Sequence, residues 1–348
     1  MIKVINKVVL SLFLLISSNN ILMADINKVD VDKQLIDKML ANGIIPIPLS
    51  KEKLLKLIDN PNNRITKEKF NLGKKLFFDP RLSSSGLISC NTCHNIGLNG
   101  IDGIPIAIGD KWTLNPHGIN SPTVYNAVFN DNQFWDGRSS DLEAQAIGPI
   151  QAAPEMNSTP EFVKNFIMNT PKYLESFRII KDDIKYQPNI QDVGDVIAVF
   201  ERTLITPSKL DSYMTTNGKE IKFTQLERNG ANLFIDKGCV SCHNGVGMGG
   251  TMMPFPIYKP YKYANVGDFK GDKNGMVKTP TLRNITETAP YFHNGQVTTL
   301  TEAIKIMGET QLNIKLNEEE LISLEIFLKT LTGIKSNIVF PMLPKTNK

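Results

Sequence analysis

The four cysteines of the chain fall in two pairs, and each pair is followed directly by a histidine: Cys90-Asn91-Thr92-Cys93-His94 and Cys239-Val240-Ser241-Cys242-His243. In this C-x-x-C-H spacing, two thiols can reach the edge of one porphyrin and form thioethers. The adjacent imidazole is then held beneath the iron as an axial ligand. A zinc ribbon would set its two pairs about 15–20 residues apart, whereas 145 residues separate Cys93 from Cys239. A dithiol redox pair or a two-disulfide framework leaves both histidines unexplained. The motifs therefore predict two covalently attached c-type haems, one on Cys90, Cys93 and His94 and one on Cys239, Cys242 and His243.

What each iron can do depends on its sixth position. A strong ligand there closes it for electron transfer, and an open or displaceable one permits catalysis. The two remaining imidazoles are His117 and His293. Downstream of the second motif lie Met248, Met252, Met253, Met276, Met307 and His293; nearest to the first are His117 and Met156. Spacing alone does not choose among them. The run 245–250 (GVGMGG) matches G-x-G-x-x-G, but with no strand pattern before it and no helix pattern after, it reads as a loop rather than a nucleotide site.

The elements that must hold these groups are helical. Residues 67–78 (KEKFNLGKKLFF) and 224–235 (TQLERNGANLFI) share Gly, Leu and Phe at the same offsets, Gly73/Gly230, Leu76/Leu233 and Phe77/Phe234, and each run precedes a haem motif. This is a weak internal repeat, in which the glycine would let a helix approach a neighbour closely. Residues 192–205 place Val193, Val196, Ile197, Phe200 and Leu204 on one helix face, and Pro207 ends that helix. The polar stretch 211–220 reads as a linker. A last helix is expected over 318–331, with Leu321, Leu324, Phe327, Leu328 and Leu331 apolar. The Gly/Pro-rich stretches 95–123 and 244–281 lack strand alternation and read as loops around the haems. The expected architecture is mainly α: two cytochrome c-type haem domains with long loops, related by internal duplication. Its divisions are an export signal over 1–24, a first domain over 25–210, a second over 211–335 and a tail over 336–348.

The export signal rests on Lys3 and Lys7, the nine-residue apolar run 8–16 and a cleavage point near Ala24. The run is too short to span a membrane, which takes about 20 apolar residues. Removing it leaves 37 basic against 35 acidic residues in a chain with 41% hydrophobic residues. That composition excludes wholesale disorder and multi-span membrane classes, and charge this near balance offers no field for nucleic acid. Attachment of c-type haem outside the cytoplasm agrees with export, and the periplasm is the expected location.

Three long runs carry more information than the haem motifs: 76–98 (LFFDPRLSSSGLISCNTCHNIGL), 120–156 (NSPTVYNAVFNDNQFWDGRSSDLEAQAIGPIQAAPEM) and 278–312 (KTPTLRNITETAPYFHNGQVTTLTEAIKIMGETQL). Through them the chain resembles bacterial dihaem cytochrome c peroxidases over nearly its whole mature length. The resemblance implies reduction of hydrogen peroxide to water, with electrons from a small periplasmic cytochrome or copper protein. It also implies a homodimer, with calcium at the domain boundary. It makes His94 the proximal ligand of the peroxidatic haem, and His243 with Met307 the ligands of the electron-transferring haem. Trp135 then lies between the haems, and Gln145 and Glu155 line the peroxide pocket. The Asn120 side chain and the Thr288 and Pro290 carbonyls would hold calcium, a hard cation suited to oxygen donors. A pocket carboxylate such as Glu155 can shuttle the proton that O–O cleavage requires.

The resemblance has one departure. The family's displaceable distal histidine aligns with Asp110 in Ile108-Gly109-Asp110-Lys111-Trp112, and His117 stands seven residues further along. Either His117 serves as the distal iron ligand or the first iron stays open. Two other readings carry different consequences: a dihaem electron carrier without catalysis, which needs both irons closed, and the related protein-oxidising enzyme of methylamine utilisation, which has tyrosine in place of the axial methionine.

Overall fold

The computed structural model describes residues 31–347; the export signal read at 1–24 lies outside them. Each half is built around a pair of tightly crossed helices. In the first half α2 (Lys67–Phe77) crosses α6 (Ile190–Arg202), and α3 (Leu142–Gln151), α4 (Pro160–Met168) and α5 (Pro171–Lys181) pack around them; α1 (Lys51–Ile58) precedes the group. In the second half α8 (Gln225–Asp236) crosses α10 (Glu318–Lys329), flanked by α7 (Lys209–Thr215) and α9 (Leu300–Leu312).

The crossings explain the shared glycines. A Cβ on Gly73 would run into the carbonyl of Val196, and one on Gly230 into the carbonyl of Ser323. Backbone touches backbone at both points, which no residue but glycine allows. Apolar faces then close over each crossing. Leu76, Phe77, Val193, Val196, Ile197 and Phe200 belong to the first core; Phe234, Leu324, Phe327 and Leu328 belong to the second. Reciprocal capping fixes where the helices begin: Asn189 with Asp192 for α6, Thr224 with Glu227 for α8 and Asn317 with Glu320 for α10.

Three readings of the sequence need correction. The stretch 211–220, read as linker, begins inside α7, whose Leu210, Tyr213 and Met214 are buried in the second core. Seven residues are too few for a periodic pattern to stand out, and Asp211, Ser212 and Thr215 make the segment look polar. Asp211 is polar for a reason: it is fully buried, holds the N-terminus of α7 through Ser208, and pairs with the guanidinium of Arg283 at 2.9 Å. The stretch 244–281, read as loop, contains an antiparallel pair, β1 (Met252–Pro254) and β2 (Met276–Lys278), with Met253 opposite Val277. At three residues each, these strands are too short for alternation to show. Finally, a helical segment over 31–41 sends Leu35, Ile36 and Met39 into the second core, although it was assigned to the first domain.

The tail crosses in the opposite direction. Ile338 packs on the first core, the Phe340 ring meets Phe78 edge-on at 4.9 Å, and Arg81 donates to the Pro344 carbonyl at 2.9 Å. Where the passes meet, the Ile47 amide donates to Asp211 at 2.6 Å, Ile205 packs on Ile47, and the Ile334 amide donates to the Pro207 carbonyl at 2.9 Å.

Candidate active site

Cys90–Cys93 form a single helical turn capped by Ser89, and the His94 amide closes on the Cys90 carbonyl at 2.8 Å. The turn brings Cys93 and His94 to one cleft, while Cys90 packs against the first core. His94 Nδ1 lies 2.9 Å from the Pro122 carbonyl oxygen, so Nδ1 carries the proton and Nε2 is left for a metal. Burial keeps this imidazole below its ordinary pKa, hence neutral, as iron ligation requires. All four cysteines are free of disulfides. Burial pushes Cys93 up to about 12 and Cys90 further, so neither is an activated thiolate awaiting a substrate. The second motif repeats the arrangement: His243 Nδ1 is 3.3 Å from the Met248 carbonyl, and burial lowers its pKa to about 4.

Each motif opens onto a cleft. The first, open to solvent, is lined by Cys93, His94, Gln145 and Glu155, with Phe134, Pro149 and Glu201. Gln145 is carried by α3, whose N-terminus is capped by Asp141. Glu155 sits on the turn just beyond α3, its amide bonded to the Ala152 carbonyl at 3.0 Å. Burial raises the Glu155 pKa, opposed by the positive charges of Arg138 and His117. Arg138 is itself stacked over the Phe134 ring at 3.5 Å. The second cleft encloses about 1680 Å³ and holds Cys239, Cys242, His243, His293 and, from α9, Met307. Both clefts are lined by a neutral imidazole of a C-x-x-C-H motif, with Cys93 beside it in the first and Cys239 and Cys242 in the second, so the residues present fit a c-type haem in each.

The two clefts share a wall. Trp135 is 9% exposed and donates from Nε1 to the Asn120 carbonyl at 3.0 Å. The Asn120 side chain donates to the Pro290 carbonyl at 2.8 Å, and Thr288 stands two residues before Pro290 along the same cleft edge. The three residues read as calcium ligands are therefore neighbours. Among the described residues no group of three or more His, Cys, Asp or Glu is placed to hold a metal, so a cation there would rest on neutral oxygens.

His117 stands apart. It is exposed, its Nδ1 is 2.9 Å from Asp268 of the second half, and it does not line the first cleft. Asp110 is buried, Ser84 and Asn157 donate to its Oδ2 at 3.2 and 3.3 Å, and hydrogen bonding from Ser85 foremost, with Asn157 and Ser84, holds its pKa down.

Two residues escaped the sequence reading. Glu201 lines the first cleft on α6, with one carboxyl oxygen unpartnered and its pKa pushed up to about 8 by burial and by Glu143. Its signal was an acid four residues after Ile197, within an apolar stripe. Lys278 lines both clefts at 5% exposure; on a three-residue strand it gave no signal.

Comparison with known proteins follows this division. The family described as di-haem cytochrome c peroxidase matches residues 67–219, and that described as cytochrome c matches 227–332. Two similar proteins are named cytochrome c551 peroxidase. The one from Nitrosomonas europaea is 44% identical over 79% of this chain and 83% of its own. The one from Pseudomonas aeruginosa is 40% identical over 87% and 88%. A solved MauG-like protein associated with microbial copper homeostasis superposes with a TM-score of 0.68 at 27% identity, covering 79% of this chain and 92% of the other.

Proposed function

The chain belongs to the di-haem cytochrome c peroxidase family, and from that premise we propose a division of labour: the first cleft reduces hydrogen peroxide, and the second delivers electrons from a small c-type cytochrome or copper protein of the periplasm. The protein is a cytochrome c peroxidase with two c-type haems as cofactors. The observation that carries the division is chemical asymmetry. Carboxyls, those of Glu155 and Glu201, line the first cleft and not the second, and thioethers, those of Met253 and Met307, line the second and not the first.

When bound, the first haem supplies the iron at which the O–O bond is broken. Glu155, ionised, takes the proton from the incoming hydroperoxide and returns it to the departing oxygen, which leaves as water. The Gln145 amide holds the peroxide by hydrogen bonding. Two electrons and two protons complete the conversion of one peroxide to two waters. Trp135 would carry electrons between the two sites, and His243 and Met307, which line the second cleft, would hold its haem in an electron-transferring state. Asn120 with the carbonyls of Thr288 and Pro290 binds calcium, which ties the loop at 120 to the segment at 288–290. As in the resembling family, the working unit is a homodimer.

The test is the EPR spectrum of the oxidised and half-reduced protein, combined with peroxide turnover on a reduced donor cytochrome. With His117 engaged by Asp268, the oxidised first haem is expected to be high-spin and to react without prior reduction. A low-spin bis-imidazole signal abolished in His117→Ala would show that the loop swings His117 onto the iron. Two low-spin centres with no turnover in either redox state would leave an electron carrier and overturn the enzymatic division.

A further inference from the structure

Lys278 is the single lysine or arginine among the residues lining either cleft, and it lines both. Its position is built. It ends β2 opposite Met252, and its amide donates to the carbonyl of Trp135, a residue lining the second cleft, at 2.8 Å, so its backbone is fixed. Its side chain is buried, and none of the salt bridges formed among the described residues includes its ammonium. The nearest opposing charge it feels is that of Asp136. Burial lowers its pKa to about 8, as expected of an ammonium taken from water without compensation. A buried cation without a partner is costly enough that proteins rarely keep one.

The missing anion follows from the cofactor. Each haem brings two ionised propionates into its cleft, and beside the proposed calcium the shared wall offers those four carboxylates a single side-chain cation. We propose that Lys278 is the counter-ion of the haem propionates at the wall shared by the two clefts, and that one positive charge thereby raises the potentials of both haems. The proposal rests on the two-haem reading. It adds that the two potentials are tied through one residue, because a positive charge near an iron favours the reduced state.

Spectroelectrochemical titration of both haems in wild type, Lys278→Met and Lys278→Arg decides it. At the applied potential that half-reduces each wild-type haem, the ratio of reduced to oxidised haem in Lys278→Met is expected to fall about tenfold at both centres, equivalent to about 59 mV for one electron. Lys278→Arg, which keeps the charge, is expected to stay near wild type. Unchanged potentials in a fully loaded Lys278→Met protein would overturn the proposal, as would a fall at one centre alone. If Lys278→Met does not attach haem, normal loading of Lys278→Arg supports the charge role, and failure of both variants overturns it. Absence of haem from the wild type would instead refute the two-haem reading, so the two failures are distinguishable.

Discussion

Replacing Gly230 by alanine tests the crossing of α8 and α10 directly. On an isolated helix the change is favourable, since alanine exceeds glycine in helix propensity by about 1 kcal/mol. In this fold the new methyl would overlap the Ser323 carbonyl and press on Phe327 Cβ. Neither can yield as a flexible side chain would, so the helices must part by a distance on the order of an ångström, which forfeits much of the dispersion contact along the seam. The Phe234–Phe327 pair, with ring centroids 5.4 Å apart, lies in that seam. Overpacking of this kind costs about 1–3 kcal/mol beyond propensity, more where backbone is the obstacle. A net loss of about 2 kcal/mol would reduce hydrogen-exchange protection in α8 and α10 by about 30-fold. Because two halves need not unfold together, exchange read peptide by peptide is the right assay. Gly230→Ala should loosen α8 and α10 while sparing α2 and α6, and Gly73→Ala should do the reverse. Unchanged or slower exchange in α8 and α10 would refute the argument, because propensity would then have won.

Other perturbations separate the roles assigned to the site. Met307→His should lower the potential of the second haem, because exchanging thioether for imidazole removes a ligand that favours reduced iron; an unchanged potential would pass the ligand role to His293 or another methionine. Because the Glu155 pKa is raised, its ionised form is lost as pH falls at a higher pH than for an ordinary carboxyl. Arg138→Met removes a charge that lowers this pKa, so the acid limb of the kcat/KM profile should move to higher pH; an unmoved limb would exclude Glu155 as the titrating base. Chelation should reduce turnover and added calcium restore it, with modest affinity since the donors are uncharged; full activity in calcium-free protein would remove calcium from the account.

Legibility followed the length over which a constraint repeats. α6 was readable because four residues of its apolar stripe, Val193, Val196, Ile197 and Phe200, recur along it, and the cysteine motifs because both pairs obey one spacing. Gly73 and Gly230 were readable as close-approach positions, whereas the carbonyls they meet were not, since Val196 and Ser323 lie far along the chain. α7 and the two strands failed for want of length. Lys278 and the His117–Asp268 pair failed because their meaning depends on which wall they stand in, a property of tertiary arrangement with no local trace. The segment at 31–41 shows the same limit, since its helical character is local but its choice of core is not.

Three passes of the chain run side by side where the halves meet: one through Ile47, one through Ile205 and Pro207, and one through Ile334. Mechanically this is a laminated strap. A single covalent connection would let two modules tumble about it, whereas three plies bonded to one another bend together and resist twisting. For the electron transfer proposed between the two sites, such a strap would keep the gap within narrow bounds. A nick in one ply leaves two others intact, so a protein cut once near residue 205 should still migrate, and still conduct electrons, as one body.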